Sequence, residues 1–86
     1  MSYFKSSRHE FIAQFLWRVR NARGWSQERM AEHLNITSRA LSNLETGKSL
    51  PGAETLLHLD QMLTPDERDE LRQGIARCLK EEAERE

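Results

Sequence analysis

Trp25 to Gly47 reads WSQERMAEHLNITSRALSNLETG, and the fold follows from how that stretch is read. It predicts two short helices joined by a tight turn, over 27–34 and 38–46. Ser26 stands before the first, where its hydroxyl accepts from an otherwise unpaired backbone N–H, and Glu28 falls where the helix dipole favours an anion. Thr37 stands before the second in the same role. Gly47 follows it, at a position where left-handed backbone costs glycine nothing. Leu34-Asn35-Ile36 must make the reversal. A turn this short needs a residue at positive φ, and Asn is among the few non-glycines that tolerate it.

The apolar residues of this unit are Trp25, Met30, Ala31, Leu34, Ile36, Leu41 and Leu44. Met30 and Leu34 are four apart and Leu41 and Leu44 three apart, so each helix has one inward face. Ala31 shares that face and is small enough to let the second helix cross closely. Ser38, Arg39, Ser42 and Asn43 fall on the outward side of the second helix. A short, rigid helix with a hydrogen-bonding outer face is an object that the major groove of DNA admits.

On these residues the chain resembles the phage-repressor/Cro (XRE) helix-turn-helix family. The resemblance rests on Leu16, Val19, Arg20, Gly24, Ser26-Gln27-Glu28, Ala31, Leu34, Ile36, Leu41, Leu44-Glu45, Gly47-Lys48, Pro51 and Glu54-Thr55-Leu56, spanning residues 11 to 63. Each piece alone is weak; their order makes the pattern specific. The family commonly has Gly where this chain has Asn35 and Leu where it has Met30, and both replacements are physically tolerable.

What the resemblance implies is a sequence-specific binder of double-stranded DNA, a repressor-like regulator of transcription. Gln27 would bind a phosphate from the start of its helix and brace the next one. Ser38, Arg39 and Asn43 match the base-reading positions. Arg39 can donate twice to guanine, and Asn43 can pair bidentately with adenine; Arg39 can equally reach a phosphate, which sets position rather than sequence. Thr37 and Ser42 would touch phosphate or a thymine methyl, with simple capping an equal alternative for Thr37. Lys48 would meet backbone phosphate. An ion pair between Arg20 and Glu45 is also implied, a structural tie that removes Glu45 from consideration as a catalytic acid.

Eighty-six residues make one domain with a modest core. A single cysteine allows no internal disulfide and suits a reducing cytoplasm. No apolar run approaches membrane-spanning length, and the N-terminus lacks the hydrophobic core of a signal peptide. The net charge of −1 argues at first against nucleic acid. Its distribution reverses that: residues 1–50 carry +4 and residues 51–86 carry −5. The acidic third is expected to face away from phosphate.

Before the central unit, a helix is predicted over 7–23, with Ser7 as N-cap, Glu10 completing a capping box, and Gly24 as its stop. Residues 1–6 are expected to be weakly ordered, with Tyr3 and Phe4 available to pack on the domain. Phe11, Ile12, Phe15, Leu16, Val19 and Ala22 form its apolar stripe. Trp17 lies off the centre of that stripe, either covering a neighbouring helix or meeting a partner. After the loop 48–52, a helix over 53–63 carries Leu56, Leu57, Leu59, Met62 and Leu63. Thr64-Pro65-Asp66-Glu67 is a clear start signal: N-cap, Pro at N1 and a capping-box Glu. The last helix, over 65–82, aligns Leu71, Ile75, Cys78, Leu79 and Ala83, and the acidic tail EEAERE is expected to fray.

The expectation is therefore an all-α, compact, five-helix, repressor-like domain. A twofold dimer through the last helix, by Leu71, Ile75 and Leu79, is one expected assembly, against the alternative that Leu71 and Ile75 only close the core. His9, His33 and His58 lack zinc-ligand spacing, and Cys78 reads as a small buried hydrophobe. No catalytic constellation, metal site or cofactor motif is legible. A protein-binding adaptor and an antitoxin-type autoregulator are the alternative uses of the same fold.

Overall fold

In a computed structural model, residues 4–84 are described. They form five helices: α1 (Ser7–Ala22), α2 (Gln27–Leu34), α3 (Ser38–Glu45), α4 (Ala53–Met62) and α5 (Pro65–Glu84). Among the described residues there is no strand. Where α1, α3 and α4 stop one residue short of expectation, the missing residue is the C-cap: Arg23, Thr46 and Leu63.

The central unit forms as its sequence dictates. Ser26 Oγ accepts from Arg29 N at 3.1 Å, and Thr37 Oγ1 accepts from Ala40 N at 3.0 Å. Asn35 takes φ 57° and ψ 44°, making the reversal between α2 and α3. Gly47 takes φ 76° after α3, and a Cβ placed there would run into the Phe4 ring, so both backbone and packing select glycine.

The start of α1 corrects one expectation. Its N-cap is Ser6, not Ser7: Ser6 is extended and its Oγ accepts from His9 N at 3.3 Å. Ser7 is already helical, and its hydroxyl donates instead to Glu82 Oε1 at 3.1 Å, so no Ser7–Glu10 box forms. A distant carboxylate has claimed the hydroxyl that the local motif would have used.

That carboxylate also bears on the tail. Glu82 Oε1 accepts from Arg8 N at 3.3 Å, and Glu82 Oε2 lies 2.8 Å from Arg8 Nε. A negative charge misplaced at the C-terminus of α5 thus sits at the N-terminus of α1, where the dipole is favourable. The expected fraying does not extend to Glu84, which remains helical; residues 85 and 86, like Tyr3 and its expected packing, lie outside the described residues.

Ile12, Phe15, Leu16 and Val19 of α1 pack in one core with Met30, Ala31, Leu34, Leu41, Leu44, Leu59, Leu63 and Leu71. On α5 the buried line runs through Leu71, Gly74 and Cys78. Gly74 is required there because a Cβ would enter the Phe11 ring, so α1 and α5 cross closely at that point. The stripe expected on this helix is rotated accordingly: Leu79 is 50% exposed and Ala83 is exposed. Leu71 is core and cannot serve as a dimer contact, while Ile75 packs partly against the core.

The start signal of α5 forms as expected, with Thr64 N donating to Glu67 Oε1 at 2.9 Å and Glu67 N to Thr64 Oγ1 at 3.2 Å. The same carboxylate receives Arg23 Nη2 at 2.7 Å and Nη1 at 2.9 Å, tying the end of α1 to the start of α5. These hydrogen bonds, Arg23's foremost, hold the Glu67 carboxyl down to about 2 from the usual 4.5.

Candidate nucleic-acid interface

α3 owes its placement to apolar residues on one side. Leu41 and Leu44 are buried, and Ala31 of α2 is buried opposite them, where a larger residue would hold the helices apart. With that side fixed, the other side of α3 presents Ser38, Arg39, Ser42 and Asn43. Arg39 is exposed and the other three are half-buried. Eight residues at about 1.5 Å each make a rod of about 12 Å.

Thr37 spends its oxygen lone pair on Ala40 N, which makes capping its first role and leaves the hydroxyl proton available. Asn43 lines a shallow cleft with Ile36, Ser49 and Thr55, beside the loop after α3. Its backbone carbonyl accepts from Lys48 N at 2.9 Å and Ser49 N at 3.4 Å, which fixes that loop. Lys48 is exposed at the end of α3. Gln27, at the first turn of α2, reaches the same end: its Nε2 donates to Glu45 Oε1 at 3.0 Å. The bracing part of the role implied for Gln27 is therefore visible, and its second amide proton is unused.

Glu45 is the pivot of this arrangement. Arg20 Nε donates to Glu45 Oε2 at 2.8 Å and Arg20 Nη2 to Glu45 Oε1 at 3.0 Å, a two-pronged pair. Arg20 Nη1 continues to the Trp25 carbonyl at 3.0 Å. The side chains are 15% and 4% exposed, so the pair is shielded from water. Hydrogen bonding to Glu45 raises the Arg20 guanidinium further above its ordinary pKa despite burial.

Neutralising Glu45 matters because of what the sequence omits. Between Glu32 and Glu54 it is the only acidic residue. Once it is paired inside, the surface built by 33–53 carries no free carboxylate. The cations are distributed to match. Arg8, Arg18, Arg20, Arg23 and Arg68 each meet a carboxylate. Arg29 lies over the Trp25 ring, itself stacked on His33, and Arg77 lies over Phe11. Among the described residues of the basic half, Lys5, Arg39 and Lys48 alone have neither kind of partner. Arg72 and Lys80 on α5 also lack one, but they stand among exposed Asp69, Glu70, Glu81 and Glu84.

A family model described as a helix-turn-helix domain matches residues 12–71, from the second turn of α1 into α5. The chain belongs to that helix-turn-helix family. The XRE-like resemblance read from 11 to 63 is upheld by the span of this match. Among curated proteins, the helix-turn-helix chain is similar to the SPbeta prophage-derived uncharacterized HTH-type transcriptional regulator YonR of Bacillus subtilis (strain 168). The identity is 40% over 48 residues, 56% of this chain and 44% of that protein. The chain thus matches less than half the length of this curated relative. No solved structure gives a significant match.

Several contributors were not legible as site residues. Arg23 and Glu67 are far apart in sequence and are joined only by the approach of α1 to α5. Phe4 reaches the end of α3, against Gly47, a contact partner that no local pattern announces. No helix among the described residues is long and apolar enough to cross a membrane, and no group of three or more metal-ligating side chains occurs there.

Proposed function

We propose that this chain binds double-stranded DNA by laying the outer face of α3 in the major groove, and that it regulates transcription by doing so. The observation that carries the reading is the surface built by 33–53, which has no free carboxylate and bears Arg39 and Lys48 unpaired, while Arg8, Arg18, Arg20 and Arg23 of α1 and its C-cap are each paired with a carboxylate. Arg39 and Asn43 read base edges, with Ser38 beside them; Ser42, Thr37, Gln27 and Lys48 hold the sugar–phosphate backbone. A ligand of this kind puts the protein in the cytoplasm.

Dimerisation through α5 belongs to the same reading, with a narrower surface than Leu71, Ile75 and Leu79. Leu79 and the flanking part of Ile75 remain available, and Leu50 is exposed on the neighbouring loop, where Leu50, Pro51, Leu56 and Ile75 share a shallow groove. A twofold pair would read half-sites about 34 Å apart. Sedimentation with and without a palindromic duplex tests this; a monomer at tens of micromolar on such a site overturns it.

The function is tested by selecting bound fragments from random duplex DNA with the purified protein, then titrating the winner over a range of salt. A DNA reader yields a defined motif and a log-linear loss of affinity with salt. Recovery of no motif, with weak binding and a co-purifying protein, would favour the adaptor alternative.

A further inference from the structure

Lys5 is the remaining unpartnered cation of the basic half, and the structure shows where its segment goes. The Phe4 ring lies against Gly47, the residue that ends α3, and helps bury it. Gly47 can receive the ring because it has no Cβ, and its φ of 76° makes the chain turn away at that point. One residue beyond the contact on one side is Lys5, exposed; one residue beyond it on the other is Lys48, exposed. The two lysines therefore flank, one residue away on each chain segment, a contact between the N-terminal segment and the end of α3. From Lys5 the chain passes directly into Ser6, the cap of α1, which fixes the segment from its other side.

We infer that Lys5 is a second backbone-phosphate contact of the duplex, held beside Lys48 by the seating of Phe4 on Gly47. This rests on the DNA-binding reading above and extends it to a segment outside the family match, which begins at residue 12. The chemistry supports phosphate rather than base: a lysine ammonium is a point charge without the planar fork that fixes base readout. The two nearest carboxylates named above are both engaged: Glu82 by Ser7 and Arg8 at the start of α1, and Glu45 under Arg20 and Gln27. Phe4 is a positioning residue and Lys5 the contacting one.

The test is the slope of log affinity against log salt on a duplex, measured for the full chain, for Lys5→Ala, for Lys5→Arg and for Phe4→Ala, with thermal melting alongside. One lost phosphate contact makes the slope shallower by about 0.9, so between 50 and 200 mM salt Lys5→Ala would lose about threefold less affinity than the parent. Lys5→Arg should keep the parent slope. Phe4→Ala should lose the same increment although its lysine is intact. A change of melting temperature in Phe4→Ala alone reports packing and leaves Lys5→Ala as the deciding variant. A steep parent slope unchanged in Lys5→Ala overturns the inference while sparing the DNA-binding reading; a parent with no salt-dependent duplex binding overturns both.

Discussion

At Glu45 a carboxylate sits beside the surface proposed to meet phosphate, and its neighbours remove the repulsion it would cause. Arg20 supplies two hydrogen bonds and Gln27 a third. Removing the carboxylate leaves a shielded guanidinium without its partner. Glu45→Ala is therefore expected to destabilise the fold by about 2–4 kcal/mol, below the full penalty for a wholly buried charge because Arg20 retains some water. The midpoint of urea unfolding measures this; an unshifted midpoint would show that the pair contributes nothing net. Arg39 has no such internal duty. Arg39→Ala should leave unfolding unchanged and cost about 1–3 kcal/mol on the selected site, relaxing preference at one base position. Equal weakening on every sequence would make Arg39 a phosphate contact instead.

Between elements, two close crossings depend on small residues. Ala31 lets α3 lie on α2, and Gly74 lets α5 lie on the Phe11 ring of α1. Ala31→Leu should overpack the first crossing at a cost of about 1–3 kcal/mol, read as a lower melting temperature. Duplex affinity should fall as well, since α3 would be displaced from Gln27. Melting equal to the parent would show that α2 and α3 have room to spare. These crossings differ in how far they could be foreseen. Ala31 shares a face with Met30 and Leu34, so its place is set by helical period. Gly74 follows Leu71 by three residues, between Gln73 and Ile75, and nothing local distinguishes it from a helix-weakening surface glycine.

For the molecule as a whole, acid stability turns on the tie between the end of α1 and the start of α5. The carboxyl of Glu67 is held near 2, against 4.5 ordinarily, first by the hydrogen bonds from Arg23. A folded-state value below the unfolded one means that the unfolded chain binds the proton more readily. The stabilisation is therefore whole above about pH 4.5 and is lost as pH falls toward 2. Glu67→Gln should be less stable near neutrality by about 1–3 kcal/mol, as for a charge-assisted hydrogen bond. Its stability should also fall less steeply than the parent's through that acid window. Parallel curves for the two proteins would show that Arg23 does not perturb this carboxyl.

Sequence by itself determined the five helices, their caps at Ser26, Thr37 and Thr64, the left-handed Asn35 and the outward strip Ser38–Arg39–Ser42–Asn43. Each follows from neighbours within a turn or two, where backbone geometry and helical period act directly. Tertiary structure decided what Ser7 and Glu82 do, which side of α5 is buried, that Leu71 belongs to the core, and that Phe4 seats on Gly47. Those outcomes depend on which groups meet across long separations in the chain: a carboxylate at the end of α5 can outbid a local cap, and a ring can seat on a glycine, only after the helices have packed.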